Sequence, residues 1–143
     1  MHVPNKLTAS ALVLCFSGTS ALLSGGASAA GFEGPNNIVC AALDVVGCVD
    51  GQGCVEGDAR TFELPQFIFV DFENKLVRGT EEGGHQGVSP IKNLETTEKQ
   101  VIIQGVENHR GWTAAIDRQT GRMTLTSAGA DVSFMISGAC TAL

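Results

Sequence analysis

The sequence predicts an all-β fold, a small antiparallel β-barrel or sandwich of seven to eight strands stapled by two disulfides. Short apolar runs bounded by Gly, Asn and Asp recur from residue 38 onward, while helical periodicity is almost absent. Four cysteines, Cys40, Cys48, Cys54 and Cys140, follow an N-terminal segment of secretory type. Between Trp112 and Thr126, apolar and polar residues alternate on both sides of a glycine-closed turn, as a half-buried antiparallel pair requires.

Residues 1–29 read as a signal peptide. Lys6 supplies the basic region, Leu7 to Leu23 the apolar run, and Ala27-Ser28-Ala29 the small-residue cleavage site. Gly18 and small polar residues interrupt the run. It therefore falls short of the roughly 20 consecutive apolar residues of a membrane span, and no stable membrane anchor is expected. Cys15 follows Leu12-Val13-Leu14, which departs from a lipid-attachment site, so it belongs to the discarded segment. The expected product is one β-domain, residues 30–143, monomeric and periplasmic or secreted. The chain carries a net charge of −6; losing Lys6, one of nine basic residues, and none of the fifteen acidic ones leaves −7. Such a chain is a poor candidate for nucleic acid or anionic lipid, both of which need a basic footprint, and no nucleic-acid partner is expected.

Ile38 to Val46 reads as the first strand, with Asp50-Gly51-Gln52-Gly53 turning the chain. Arg60 to Leu64 reads as a short second strand ending before Pro65, since proline cannot donate to a central ladder. Phe67 to Phe72 and Lys75 to Gly79 follow as two strands joined at Glu73-Asn74. Thr80 to Gln100 is polar and glycine-containing, with Pro90 inside it. It is expected to be a mobile loop, with Val88 to Leu94 as an alternative short strand. Val101 to Glu107 is the next strand, turning through Asn108-His109-Arg110-Gly111. In the hairpin Trp112 to Ile116 and Arg122 to Thr126, Gly121 supplies a positive φ and the Asp117 carboxylate accepts turn amides. Ile116 then faces Met123 and Ala114 faces Leu125 on the buried side. Asp131 to Cys140 closes the chain with Val132, Phe134, Ile136 and Cys140 on one face.

Four cysteines allow three pairings, of which the most economical joins Cys48 to Cys54 across the glycine-rich turn and Cys40 to Cys140 between first and last strands. The cysteine spacing lacks the close pairs of zinc sites. Asp50, Gln52, Glu56 and Asp58 miss the ligand offsets of a calcium loop. Glu81, Glu82 and His85 sit on glycine-flanked backbone that would lose entropy on ordering around an ion. No metal or cofactor is expected. Nucleophile elbow, zinc-protease helix, phosphate-cradling loop and dinucleotide fingerprint are all lacking, so no catalytic residue is assigned and an enzyme is not expected.

The strand from Phe67 to Phe72 is apolar on both faces, so something besides the main core must cover one of them. Candidates are the loop, a second sheet, a cavity interior or a partner. Trp112 is expected in the core, its indole N–H seeking an acceptor. The cysteine-rich first hairpin, the Phe-rich strand, the G-W-T-A-A-I-D-R-Q-T-G-R-M-T-L hairpin and the G-A-C ending resemble a loose group of small exported proteins of Gram-negative bacteria. That resemblance implies localisation and no activity. A more distant architectural likeness is to periplasmic lysozyme-inhibitor barrels, whose inhibitory motif matches no particular residues of this chain.

The leading expectation is a non-catalytic binding or inhibitor module acting on an unidentified protein through the loop Thr80 to Gln100, with Glu81, Glu82 and His85 as contacts. The alternative is a lipocalin-like carrier of a small apolar ligand, with Phe67, Phe69 and Trp112 lining the barrel interior. An envelope structural protein without a ligand is the third.

Overall fold

The length of the first strand decides the architecture. A computed structural model describes residues 36–80 and 87–143; the expected signal peptide and Glu81, Glu82 and His85 lie outside them. β1 (Ile38–Val49) runs for 12 residues and pairs along its whole length with β9 (Val132–Ala142). Along its other edge it pairs first with β3 (Phe67–Asp71) and, beyond a bulge between Ala42 and Asp44, with β2 (Gly53–Gly57). β4 (Leu76–Gly79), β5 (Val88–Thr96), β6 (Gln100–Glu107), β7 (Arg110–Asp117) and β8 (Arg122–Ala128) follow as antiparallel neighbours. The β1–β9 pairing closes the sheet into an eight-stranded barrel, with β2 as one extra strand. Closure pairs each of β1 and β3 to β9 on both edges, with β5 meeting β4 only over Val88–Pro90.

Both disulfides join residues that stand opposite each other: Cys40 with Cys140 across β1 and β9, Cys48 with Cys54 across β1 and β2. The first is buried in the barrel, Cys40 at 0% and Cys140 at 2% exposure, and it ties the first strand to the last across 100 residues.

Antiparallel order gives the barrel two distinct ends. At one, Phe72 and the side chains of Ile38, Val70, Val101, Ile116 and Met123 fill the interior. Burying each such side chain contributes about 1.5–3 kcal/mol before the entropy cost of ordering it. At the other end lie the β1–β2 turn, the segment between β2 and β3, Thr80 and Gly87, the β6–β7 turn and the β8–β9 turn.

Two expectations need correction. Arg60 to Leu64 is not a strand; Arg60–Phe62 forms a single 3-10 turn. The Asp58 carboxylate accepts from the Thr61 amide at 2.8 Å and from its hydroxyl at 2.7 Å, local bonds that compete with a ladder. Phe62 and Leu64, whose spacing suggests a strand, instead pack over Ala42, Val45 and Ile136. The second strand is the preceding segment, Gly53–Gly57, which has little apolar signature. Of the expected loop Thr80 to Gln100, Val88–Thr96 is strand β5, in line with the alternative of a strand over Val88 to Leu94, with Ser89 and Ile91 buried. Pro90 is accommodated because its nitrogen is not needed as a donor: on the β4 side the Ile91 amide donates to the Lys75 carbonyl at 2.8 Å, and the pairing with β6 starts only at Ile91.

Candidate functional site

Four strands change from large to small at their inward-facing positions as they approach the second end. Val77 gives way to Gly79 on β4, Ile91 to Ser89 on β5, Ile103 to Gly105 on β6 and Leu125 to Ser127 on β8. Side chains that would fill an eight-stranded barrel are thus missing over its last layer. Trp112, on β7, folds over Gly105 and occupies that gap; a Cβ on Gly105 would collide with the indole ring. The remaining space is a cavity of about 410 Å³.

Trp112, Ile68, Val77, Leu125 and Ile136 form its inner surface, with Leu64, Pro65 and Phe134 along one wall. Leu64 and Pro65 belong to the segment after the 3-10 turn, so the misread stretch contributes directly to the site. The rim is polar. Glu107 and Arg110 face each other across the β6–β7 hairpin, whose turn residues Asn108 and His109 both have positive φ, 47° and 63°. They do not pair: the Glu107 carboxylate lies against Gly87, and the Arg110 guanidinium carbon sits 5.8 Å from the centre of the Phe134 ring. Among the described residues the one ion pair is Arg60 with Asp58, on the exposed surface.

One polar group lies deep in the cavity wall. Ser89 is 2% exposed, and its Oγ accepts a hydrogen bond of 2.8 Å from Trp112 Nε1. An indole N–H donates and cannot take a proton, so this contact orients the ring without activating the hydroxyl as a nucleophile.

The sequence-selected residues divide sharply. Trp112 lines the cavity. Phe67 and Phe69 do not, because the register Cys40 with Ile68 and Ile38 with Val70 turns the even-numbered residues of β3 inward. Phe67 is 38% exposed, and Phe69 lies on the outer wall beneath the Arg78 guanidinium, 6.0 Å from its ring centre. The outer apolar face of β3 is therefore covered in part by an arginine rather than by a second sheet. Ile68, Ser89, Leu125 and Ser127 were not selected from the sequence. Their signal is the large-to-small switch at inward positions, which becomes legible only once strand parity is known.

Among the described residues, no three His, Cys, Asp or Glu side chains gather as metal ligands, and no helix is long and apolar enough to cross a membrane. No protein-family model, curated protein or solved structure matches the chain.

Proposed function

We propose that the protein is an exported, non-catalytic binding module that takes one small, mainly apolar molecule into the end of its barrel. The observation that carries this reading is the cavity of about 410 Å³ with an apolar inner surface and a charged rim. Its size falls within the range of about 300–1,000 Å³ typical of small-molecule sites, and the lining of apolar side chains with a few placed polar groups is their usual composition. Export is supported by the two disulfides, which persist in oxidising compartments, and by the secretory character of residues 1–29. The protein-binding reading through Thr80 to Gln100 ranks second, because Val88–Thr96 of that stretch is strand and not loop.

The test uses 1-aminoanthracene, a small apolar fluorophore. Saturable binding at one molecule per chain, with energy transfer from the single tryptophan, is the expected result. Ser127→Phe, which places a large side chain into the cavity mouth, weakens that binding at least tenfold. Non-saturating emission, or binding unaffected by Ser127→Phe, would place the dye elsewhere and overturn the reading.

A further inference from the structure

We infer that the cavity selects apolar molecules bearing a carbonyl-type acceptor, a ketone, ester, amide or undissociated acid, and that the Ser89 hydroxyl is the group that reads it. This inference rests on the cavity being a ligand site. A serine hydroxyl accepts and donates at once. In this barrel one of its two lone pairs accepts from Trp112 Nε1, and a tryptophan N–H offers nothing back. Among the described residues, no acceptor takes the Ser89 hydroxyl proton. The residue is 2% exposed and belongs to the cavity wall, so a donor is held there in a place largely closed to bulk water. Such a group is costly to leave unmatched, which makes it a discriminator: a ligand with an acceptor at this depth satisfies it, and a hydrocarbon of the same shape does not.

The rim does not add a preference for charge. Glu107 and Arg110 are cross-strand neighbours on the rim with diverging side chains, the first against Gly87 and the second over Phe134, so neither sign of ligand head group is favoured outright. A neutral acceptor inside an apolar body is the chemistry that fits both the wall and the rim. The indole of Trp112 does more than fill space: by occupying one lone pair of Ser89 it turns the hydroxyl proton away from itself.

Acetophenone and ethylbenzene have nearly the same shape and differ in the carbonyl. Each is titrated as a competitor of 1-aminoanthracene, with the dye excited directly, in the natural protein, in Ser89→Ala and in Ser89→Thr. The readout is the ratio of the two dissociation constants within each protein, because the ketone and the hydrocarbon also differ in their affinity for water. A neutral hydrogen bond is worth about threefold to tenfold in this ratio. The expected result is that Ser89→Ala shifts the ratio by that factor toward ethylbenzene, while Ser89→Thr, which keeps the hydroxyl, restores it. A ratio that stays within about twofold in Ser89→Ala, with both competitors still binding, overturns the role of Ser89 and leaves the cavity reading intact. Failure of the dye and of both competitors to bind the natural protein overturns the cavity reading and this inference with it.

Discussion

Gly105 stands directly opposite Trp112 across the β6–β7 ladder, and the missing side chain is what lets the indole lie over β6 and reach Ser89. A Cβ at this position would also lie 2.7 Å from the Pro90 carbonyl oxygen, so neither the ring nor the backbone gives way easily. Gly105→Ala is expected to destabilise the protein by about 1–3 kcal/mol in chemical denaturation, the range for overpacking. Near-ultraviolet circular dichroism, to which one tryptophan contributes, should change in the folded state. A variant with unaltered stability and spectrum would show that Trp112 is not held by this contact.

The two disulfides should differ in value. Joining Cys40 to Cys140 closes a span of 100 residues and joining Cys48 to Cys54 a span of 6. In the chain-entropy treatment these correspond to about 4.7 and about 2 kcal/mol. Replacing Cys40 and Cys140 by alanine is therefore expected to cost at least twice as much as replacing Cys48 and Cys54. The pair at 40 and 140 also leaves a void in the buried core. Equal losses in urea titrations would contradict the assignment of the inner bridge as the main staple.

Much of this was legible in the sequence, and the reasons are specific. The alternation from Trp112 to Thr126 determines both parity and register: Ile116 pairs with Met123 and Ala114 with Leu125 as expected, closed by Gly121 at φ 69°. Cysteine economy leads to the observed bridges because the first and last strands of a closed barrel are neighbours. Gly53–Gly57 was not legible, since an edge strand held by one ladder and a disulfide needs no apolar face. Phe67 and Phe69 were misplaced because a run that is apolar at both parities carries no signal of which one faces inward; the pairing of Cys40 with Ile68 resolves it. The cavity is written in small residues, Gly79, Ser89 and Ser127, which read from sequence as ordinary turn or surface composition.

Acid should weaken the fold through its turns. Asp117 is held below the usual carboxylate range by the Thr120 amide and hydroxyl and by the Gln119 amide. Asp58 is lowered by the Thr61 hydroxyl and amide, and Asp71 by the Asn74 side chain and amide. A folded-state pKa below the unfolded one means stability that is fully present above the unfolded value, near 4, and is lost as pH falls through the folded value. Melting temperature is expected to be flat with respect to these groups above about pH 5 and to fall below about pH 4. Asp117→Asn should flatten part of that fall, and an unchanged acid limb in Asp117→Asn would remove this carboxylate from the explanation.

His109 occupies the second position of a two-residue turn with φ 63°, where glycine has no Cβ to accommodate. His109→Gly is expected to stabilise the protein by about 0.5–1 kcal/mol, the left-handed penalty reduced by glycine's greater unfolded-state freedom. Loss of stability would mean that the imidazole makes a compensating contact.

The central claim, that the end of the barrel is a small-molecule site, is tested most directly through Trp112. It is the one tryptophan of the chain, so its indole N–H gives a single cross-peak in a nitrogen–proton correlation spectrum. Titration with 1-aminoanthracene should move that peak along a saturating curve that ends at one equivalent. The Gly121 amide, at the β7–β8 turn of the filled end, should stay in place. An indole peak that does not move at saturating dye, or that moves together with Gly121 and the rest of the spectrum, would contradict a ligand site in the barrel.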